Sequence, residues 1–413
     1  MFSLVFLASG FVGAGAAGLY IPETVNGSFS IHQVRNLRYK PHGPTAMAKT
    51  YMKYGAQMPR DLIKAMAAYH SEKLQKREYG ISTTTPEYGD TAWLTPVQIG
   101  TPAQTLNLDF DSGSSDLWVF SSLQSSENIY GQTPFNIADS STAVEVADSS
   151  WNVSYGDGSS SSGIVYSDIV KVGPLSVGSQ GVEVATRVST QFASDSENDG
   201  LLGLGFSKIN SASPRQLTWF DNVKSQLDSP VWTADLKADA PGSYTFGAID
   251  NNKYTGNIAY TTVSTAEGYW AFTASGYRVG ASGTRGQAIK GVADTGSSLL
   301  LVPEAVVKAY YARISGVTYD ADQGGRVFPC SATLPDFTLY IGTAEIVIPG
   351  SFFNFSPVDD AEIRCFGGIQ ANTGIGISIF GGVALKAAFV VFEDEGASPR
   401  LGWANKNLAV QDS

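Results

Sequence analysis

Asp111-Ser112-Gly113-Ser114-Ser115-Asp116-Leu117-Trp118-Val119 returns 183 residues later as Asp294-Thr295-Gly296-Ser297-Ser298-Leu299-Leu300-Leu301-Val302. Apolar residues lead into each aspartate, Leu106, Leu108 and Phe110 at alternate positions before the first and Val292 before the second. Each copy therefore reads as a strand that delivers a carboxylate into a glycine turn. One Asp-Ser/Thr-Gly tripeptide is an ordinary turn; two in matched surroundings are a repeat. A second matched pair follows, Gly200-Leu201-Leu202-Gly203 after the first aspartate and Ile379-Phe380-Gly381 after the second. The repeat predicts two lobes of similar plan, each contributing one aspartate.

Composition agrees with a β-rich reading. The 413 residues include 44 Gly and 18 Pro with long Ser/Thr/Val-rich stretches, which favour short strands and turns over a helical bundle. Net charge is −11, which argues against nucleic acid or an anionic membrane as partner, because polyanions are bound by clustered cations. The charge is uneven. Residues 18–77 carry ten bases against three acids, +7, and the rest of the chain 17 bases against 35 acids, −18. His32, His42 and His70 all lie in the basic part. From residue 78 onward there is no imidazole to serve a Ser-His-Asp or Cys-His system or a His-ligated zinc, so carboxylates are the leading acid/base candidates.

Residues 1–22 are uncharged, and Phe2 to Leu7 run into the small residues Gly13 to Gly18. This reads as a secretory signal over 1–17, with a soluble, extracellular product. Secretion would let Cys330 and Cys365, the two cysteines of the chain, form a disulfide. Asn26, Asn152 and Asn354 begin glycan-acceptor tripeptides, the last weakened by Pro357. Lys49 to Lys76 carries a helical pattern, with Leu62, Ile63, Ala65, Met66 and Tyr69 on one face. It closes on Lys76-Arg77, a dibasic processing candidate at the charge boundary. Residues 18–77 are thus expected to be an activation propeptide, 78–255 a first lobe and 256–413 a second.

The chain resembles the pepsin-like aspartic endopeptidases, especially the secreted fungal enzymes. The resemblance rests on both Asp motifs, Val97-Gln98-Ile99-Gly100-Thr101-Pro102, Tyr155-Gly156-Asp157-Gly158-Ser159, the two apolar-apolar-Gly segments, the cysteine pair and Leu401-Gly402-Trp403-Ala404. It implies an all-β bilobal fold in which Asp111 and Asp294 face each other across a cleft and share a water, with no metal or cofactor needed. Gly113 and Gly296 would let substrate approach and keep the carboxyls nearly coplanar, Ser114 and Ser297 would bond the outer carboxylate oxygens, Thr295 would support the site, and Ser112, where the family usually has Thr, would keep the hydroxyl that ties the lobes but lose a methyl contact.

The resemblance further implies that Tyr155 to Ser159 tip a flap, with Trp118 as neighbour to Tyr155. Asp157 would admit Lys beside large apolar residues before the scissile bond, and Leu201 would line that pocket. Lys53-Tyr54 resembles the pair with which a propeptide plugs the two aspartates, making the chain its own inhibitor until acid weakens the hold. Gly382 stands where acid-active relatives usually carry Asp, which implies a less acid optimum. Polypeptides are the expected substrates and a monomer the expected state. The alternative is an inactive pepsin-fold binding or inhibitor protein, disfavoured because Asp111, Gly113, Asp294, Gly296 and Tyr155 are all present.

Overall fold

The computed structural model describes residues 27–36, 40–78, 93–125, 129–154, 160–189, 198–238, 240–396 and 398–408. The expected signal segment 1–17, Asn26 and the 155–159 segment lie outside them.

Each Asp motif sits in the same three-strand arrangement. In the first, Gly200–Gly203 runs parallel to Gln104–Asp111, with Gly203 opposite Asp111, and antiparallel to Leu117–Val119. In the second, Ser378–Phe380 runs parallel to Ile289–Ala293 and antiparallel to Leu300–Val302. The apolar-apolar-Gly segments are therefore the strands wedged between the two halves of each Asp loop. They can sit there because they are apolar on both faces, as a doubly covered strand must be.

The first arrangement belongs to a nine-stranded sheet, the second to a five-stranded sheet flanked by sheets of three and four strands. A six-stranded sheet underlies both, made of Val231–Asp235, Ser243–Phe246, Thr255–Thr262, Ala388–Glu393, Arg400–Asn405 and, at its edge, Phe29–His32 of the basic segment 18–77, called the leader from here on. Phe29 pairs with Phe246 and stacks on its ring at 5.3 Å. Beneath the Asp loops Trp232 stacks on Phe392 at 3.7 Å, with Trp270 edge-on to both. Burying a ring such as Phe392 contributes roughly 1.5–3 kcal/mol, and this cluster fastens the shared sheet to the lobes.

The leader carries two helices, α1 (Gly43–Lys53) and α2 (Arg60–Glu78). The single helical run expected over Lys49 to Lys76 is thus corrected to two helices. Gly55 adopts φ +59°, a left-handed conformation that ends a helix, and Pro59 precedes the next one. Pro44 stands in the first turn of α1, and His42 caps it by accepting the Thr45 N–H through Nδ1 at 3.3 Å. Leu62, Ala65 and Met66 are buried as expected, but Ile63 is 46% exposed because it falls on the flank of that buried face of α2. Lys76 and Arg77 lie in the last turns of α2.

Cys330 and Cys365 form a disulfide with Cα atoms 4.9 Å apart, closing a loop of 35 residues beside the paired strands Gly325–Pro329 and Arg364–Gly367. No helix among the described residues is long and apolar enough to cross a membrane.

Candidate active site

Asp111 and Asp294 are fully buried at the ends of the twin strands, and their surroundings repeat atom for atom. The Gly113 N–H donates to Asp111 Oδ1 at 2.8 Å and the Ser114 hydroxyl to Oδ2 at 2.6 Å. The Gly296 N–H donates to Asp294 Oδ1 at 3.1 Å and the Ser297 hydroxyl to Oδ2 at 2.6 Å. Hydroxyl donors to a carboxylate are short and strong, so each turn fixes its carboxyl plane. Glycine is required twice by close approach. A Cβ at position 113 would stand 2.6 Å from Asp294 Oδ1, and one at 296 would stand 2.5 Å from Asp111 Oδ1.

Ser112 and Thr295 cross between the lobes. Each backbone N–H donates to the other's hydroxyl oxygen at 2.9 Å. Ser112 Oγ in turn donates to the Ala293 carbonyl at 2.8 Å, and Thr295 Oγ1 to that of Phe110 at 2.6 Å. Serine at 112 keeps every one of these bonds, since the methyl that Thr would add takes part in none.

The leader enters this site. Lys53, the last residue of α1, places Nζ 2.8 Å from Asp111 Oδ1 and 2.9 Å from Asp294 Oδ1. Tyr54 donates its hydroxyl to Asp294 Oδ2 at 2.9 Å, and its ring lies 5.2 Å from that of Tyr269. Burial opposes the Lys53 charge, but the two aspartates outweigh it and hold the ammonium well above the ordinary lysine range. Burial pushes Asp111 up, opposed by Lys53 and reinforced by Asp294. For Asp294 burial acts the same way, but Lys53 and the Ser297 hydroxyl prevail and its carboxyl is held below the usual range.

Several contacts lay beyond the reach of sequence reasoning. Thr50 donates to the Ser297 hydroxyl at 3.3 Å, and Tyr51 donates to the Thr373 carbonyl at 2.7 Å, so α1 is pinned to the second lobe. Asp109 precedes Asp111 by two residues, and the strand's alternation puts it on the same face. Burial pushes its carboxyl up to about 7, Asp111 adding and Lys53 and Lys49 opposing. That alternation was the available signal for it.

Trp118 is buried, with Trp151 stacked 6.0 Å away, and Leu201 stands opposite Trp118 and packs on the same cluster. These two are brought together beside Asp111; Tyr155, Gly156 and Asp157 lie outside the described residues. Asn152 and Asn354 are exposed, whereas Ser356 of the latter's acceptor tripeptide is buried. The Gly382 N–H donates to the Ser297 carbonyl at 2.7 Å, one residue from the second loop's core. No cluster of His, Cys, Asp and Glu suited to a metal occurs among the described residues.

Two lobes built on twin Asp turns over a shared sheet define the bilobal pepsin-like aspartic protease fold. Residues 92–406 match the family of eukaryotic aspartyl proteases, and the chain belongs to that family. It is 54% identical to endothiapepsin of Cryphonectria parasitica over 93% of this chain and 92% of that one. It is 49% identical to penicillopepsin-2 of Penicillium janthinellum and 48% to aspergillopepsin-1 of Aspergillus fumigatus, each over 87% of both chains.

Proposed function

We propose that this chain is the secreted precursor of an aspartic endopeptidase, in which Asp111 and Asp294 hydrolyse internal peptide bonds and residues 18–77 hold them latent. The observation that carries the reading is the mirrored pair of buried carboxyls with a leader ammonium bonded to both. Two carboxyls so close ionise together only at a cost, so once Lys53 leaves they share a proton and titrate as a unit; aspartic proteases are the standard example of this behaviour. The ionised member takes a proton from a water as its oxygen adds to the scissile carbonyl. The protonated member donates to the developing oxyanion, and the tetrahedral species collapses with a proton passed to the leaving nitrogen.

Latency has a charge mechanism. Asp294 is held below its ordinary value, so its grip on Lys53 is complete above that value and is lost as pH falls through the depressed one. The +7 leader likewise loosens from the acidic body as carboxylates protonate. Acid therefore releases the leader, and Lys76-Arg77 is the site at which it is cut. Secretion and a monomeric product complete the reading, with large apolar residues or, through Asp157, Lys accepted before the scissile bond.

The test is cleavage of a denatured protein by the acid-treated chain at mildly acid pH. Hydrolysis blocked by a statine-type mimic and absent in Asp111→Asn is the expected result. Hydrolysis that persists in Asp111→Asn would overturn it.

A further inference from the structure

Behind the first Asp turn lies a buried polar cluster that the mechanism does not use. Asp116 and Glu183 are both buried there, at 7% and 0% exposure. Asn210 Nδ2 stands 2.9 Å from Asp116 Oδ1, 2.8 Å from Glu183 Oε1 and 3.1 Å from the Ser115 carbonyl. The amide's orientation is settled by its other end, because Asn210 Oδ1 accepts the N–H groups of Ala212 and Gln216. Nδ2 thus has two hydrogens for three acceptors. Asp116 Oδ1 also accepts the Ser211 N–H at 2.7 Å, while buried Glu183 Oε2 accepts no hydrogen bond.

Two ionised carboxylates converging on one amide nitrogen, with no cation paired to either among the described residues, would be uncompensated buried charge. The charged groups that face the pair are each other and Asp111, all acidic. A proton on Glu183 Oε2, donated to Asp116, resolves both the repulsion and the orphaned oxygen.

We propose that Asp116 and Glu183 hold one proton between them and that this proton positions the Asp111 turn, setting the upper pH limit of the working site. Both are positioning residues. They act through Asn210 on the Ser115 carbonyl, next to Ser114, whose hydroxyl holds Asp111. Burial pushes both carboxyls upward, Glu183 well above its ordinary value with the Asp116 charge adding to it. A carboxyl raised in the folded state stabilises fully below its unfolded value, and that stability is lost as pH rises through the folded one.

The second lobe lacks the device. Leu299 stands five residues after Asp294 where Asp116 stands after Asp111. Gln370, opposite Leu301 as Glu183 is opposite Trp118, has its amide satisfied by the backbone of Arg326 and Gly367. Rising pH therefore acts on one aspartate's support and not on the other's.

The kinetic part of this inference rests on the proteolytic reading. The experiment uses the full chain after acid activation, with Glu183→Gln and Glu183→Ala beside the parent. Glu183→Gln, a permanently neutral donor, is expected to keep kcat/KM within about two-fold near pH 4 and to carry both the alkaline loss of activity and the tryptophan-fluorescence transition upward by about one pH unit or more. Glu183→Ala is expected to lose activity at both ends. An alkaline limb of Glu183→Gln that superimposes on the parent's overturns the proposal.

Infrared spectra of the unactivated parent chain, labelled with carboxyl-13C glutamate, decide the proton directly even where a variant fails to fold. A protonated glutamate band persisting to about pH 6 is expected, and its absence overturns the proposal. Should no form hydrolyse peptide at any pH, the proteolytic reading fails while the band still reports on Glu183.

Discussion

At the residue scale, the two aspartates share the donors of their own turns and differ in what else reaches them, since Tyr54 donates to Asp294 alone. Asp111→Asn can still accept the Gly113 N–H through its amide oxygen while its NH2 donates to Ser114 Oγ, but it removes one of two acid/base groups, so peptide hydrolysis is expected to fall by about 10³-fold or more, measured on a fluorogenic peptide. Lys53→Ala leaves two buried carboxyls facing each other with no cation. Loss of one partner from a buried pair costs about 3–5 kcal/mol, so leader docking weakens by on the order of 10²-fold or more, and the precursor is expected to process at neutral pH. Unchanged latency on a gel time course would count against that role for Lys53. Position 382 offers the reverse experiment. A Cβ there would stand 3.6 Å from the Ser298 carbonyl, an ordinary contact, so Gly382→Asp begins without a clash. On the resemblance, in which acid-active relatives usually carry Asp at this position, Gly382→Asp is expected to shift the pH–activity profile toward acid, and a profile that does not move refutes the link.

At the element scale, what is legible in the sequence is what local chemistry decides. The Asp turns satisfy their carboxyls within three residues, Asp111 by Gly113 and Ser114, so their pattern is visible in nine letters. The Phe29–His32 strand finds its partner more than 200 residues away and shows no pattern of its own in four residues. Glu183 reads as a solvated acid in a strand until Asp116 and Asn210 close over it. The break between α1 and α2 was signalled by Gly55 and Pro59, but the continuing apolar periodicity on either side hides it. The disulfide belongs to this scale too. Its 35-residue loop is expected to contribute roughly 4 kcal/mol by the chain-entropy estimate. Cys330→Ser with Cys365→Ser should lower the denaturant midpoint of the second lobe, and an unchanged midpoint would show that strand pairing alone suffices.

At the scale of the whole molecule, charge is divided between parts that touch. A +7 leader lies on a body of −18, and Lys53 is the point where that attraction is drawn into the buried site. Long-range attraction between exposed charges is screened by salt, whereas the buried contacts are screened much less. At a fixed, mildly acid pH, raising ionic strength is therefore expected to speed leader release severalfold, followed by amino-terminal sequencing over time. A salt-independent rate would assign latency to the buried contacts alone.

The leader strand Phe29–His32 is hydrogen-bonded into the sheet beneath both lobes, while Lys76-Arg77 lies at the far end of α2. Severing the chain at that dibasic pair would not by itself free the leader, because the cut falls far from the strand that anchors it. The nicked molecule would persist as a two-chain particle, and its catalytic onset would show a lag set by unzipping of the strand. That lag, a first-order step, would stay the same on dilution and be invisible to any assay that counts only the broken bond.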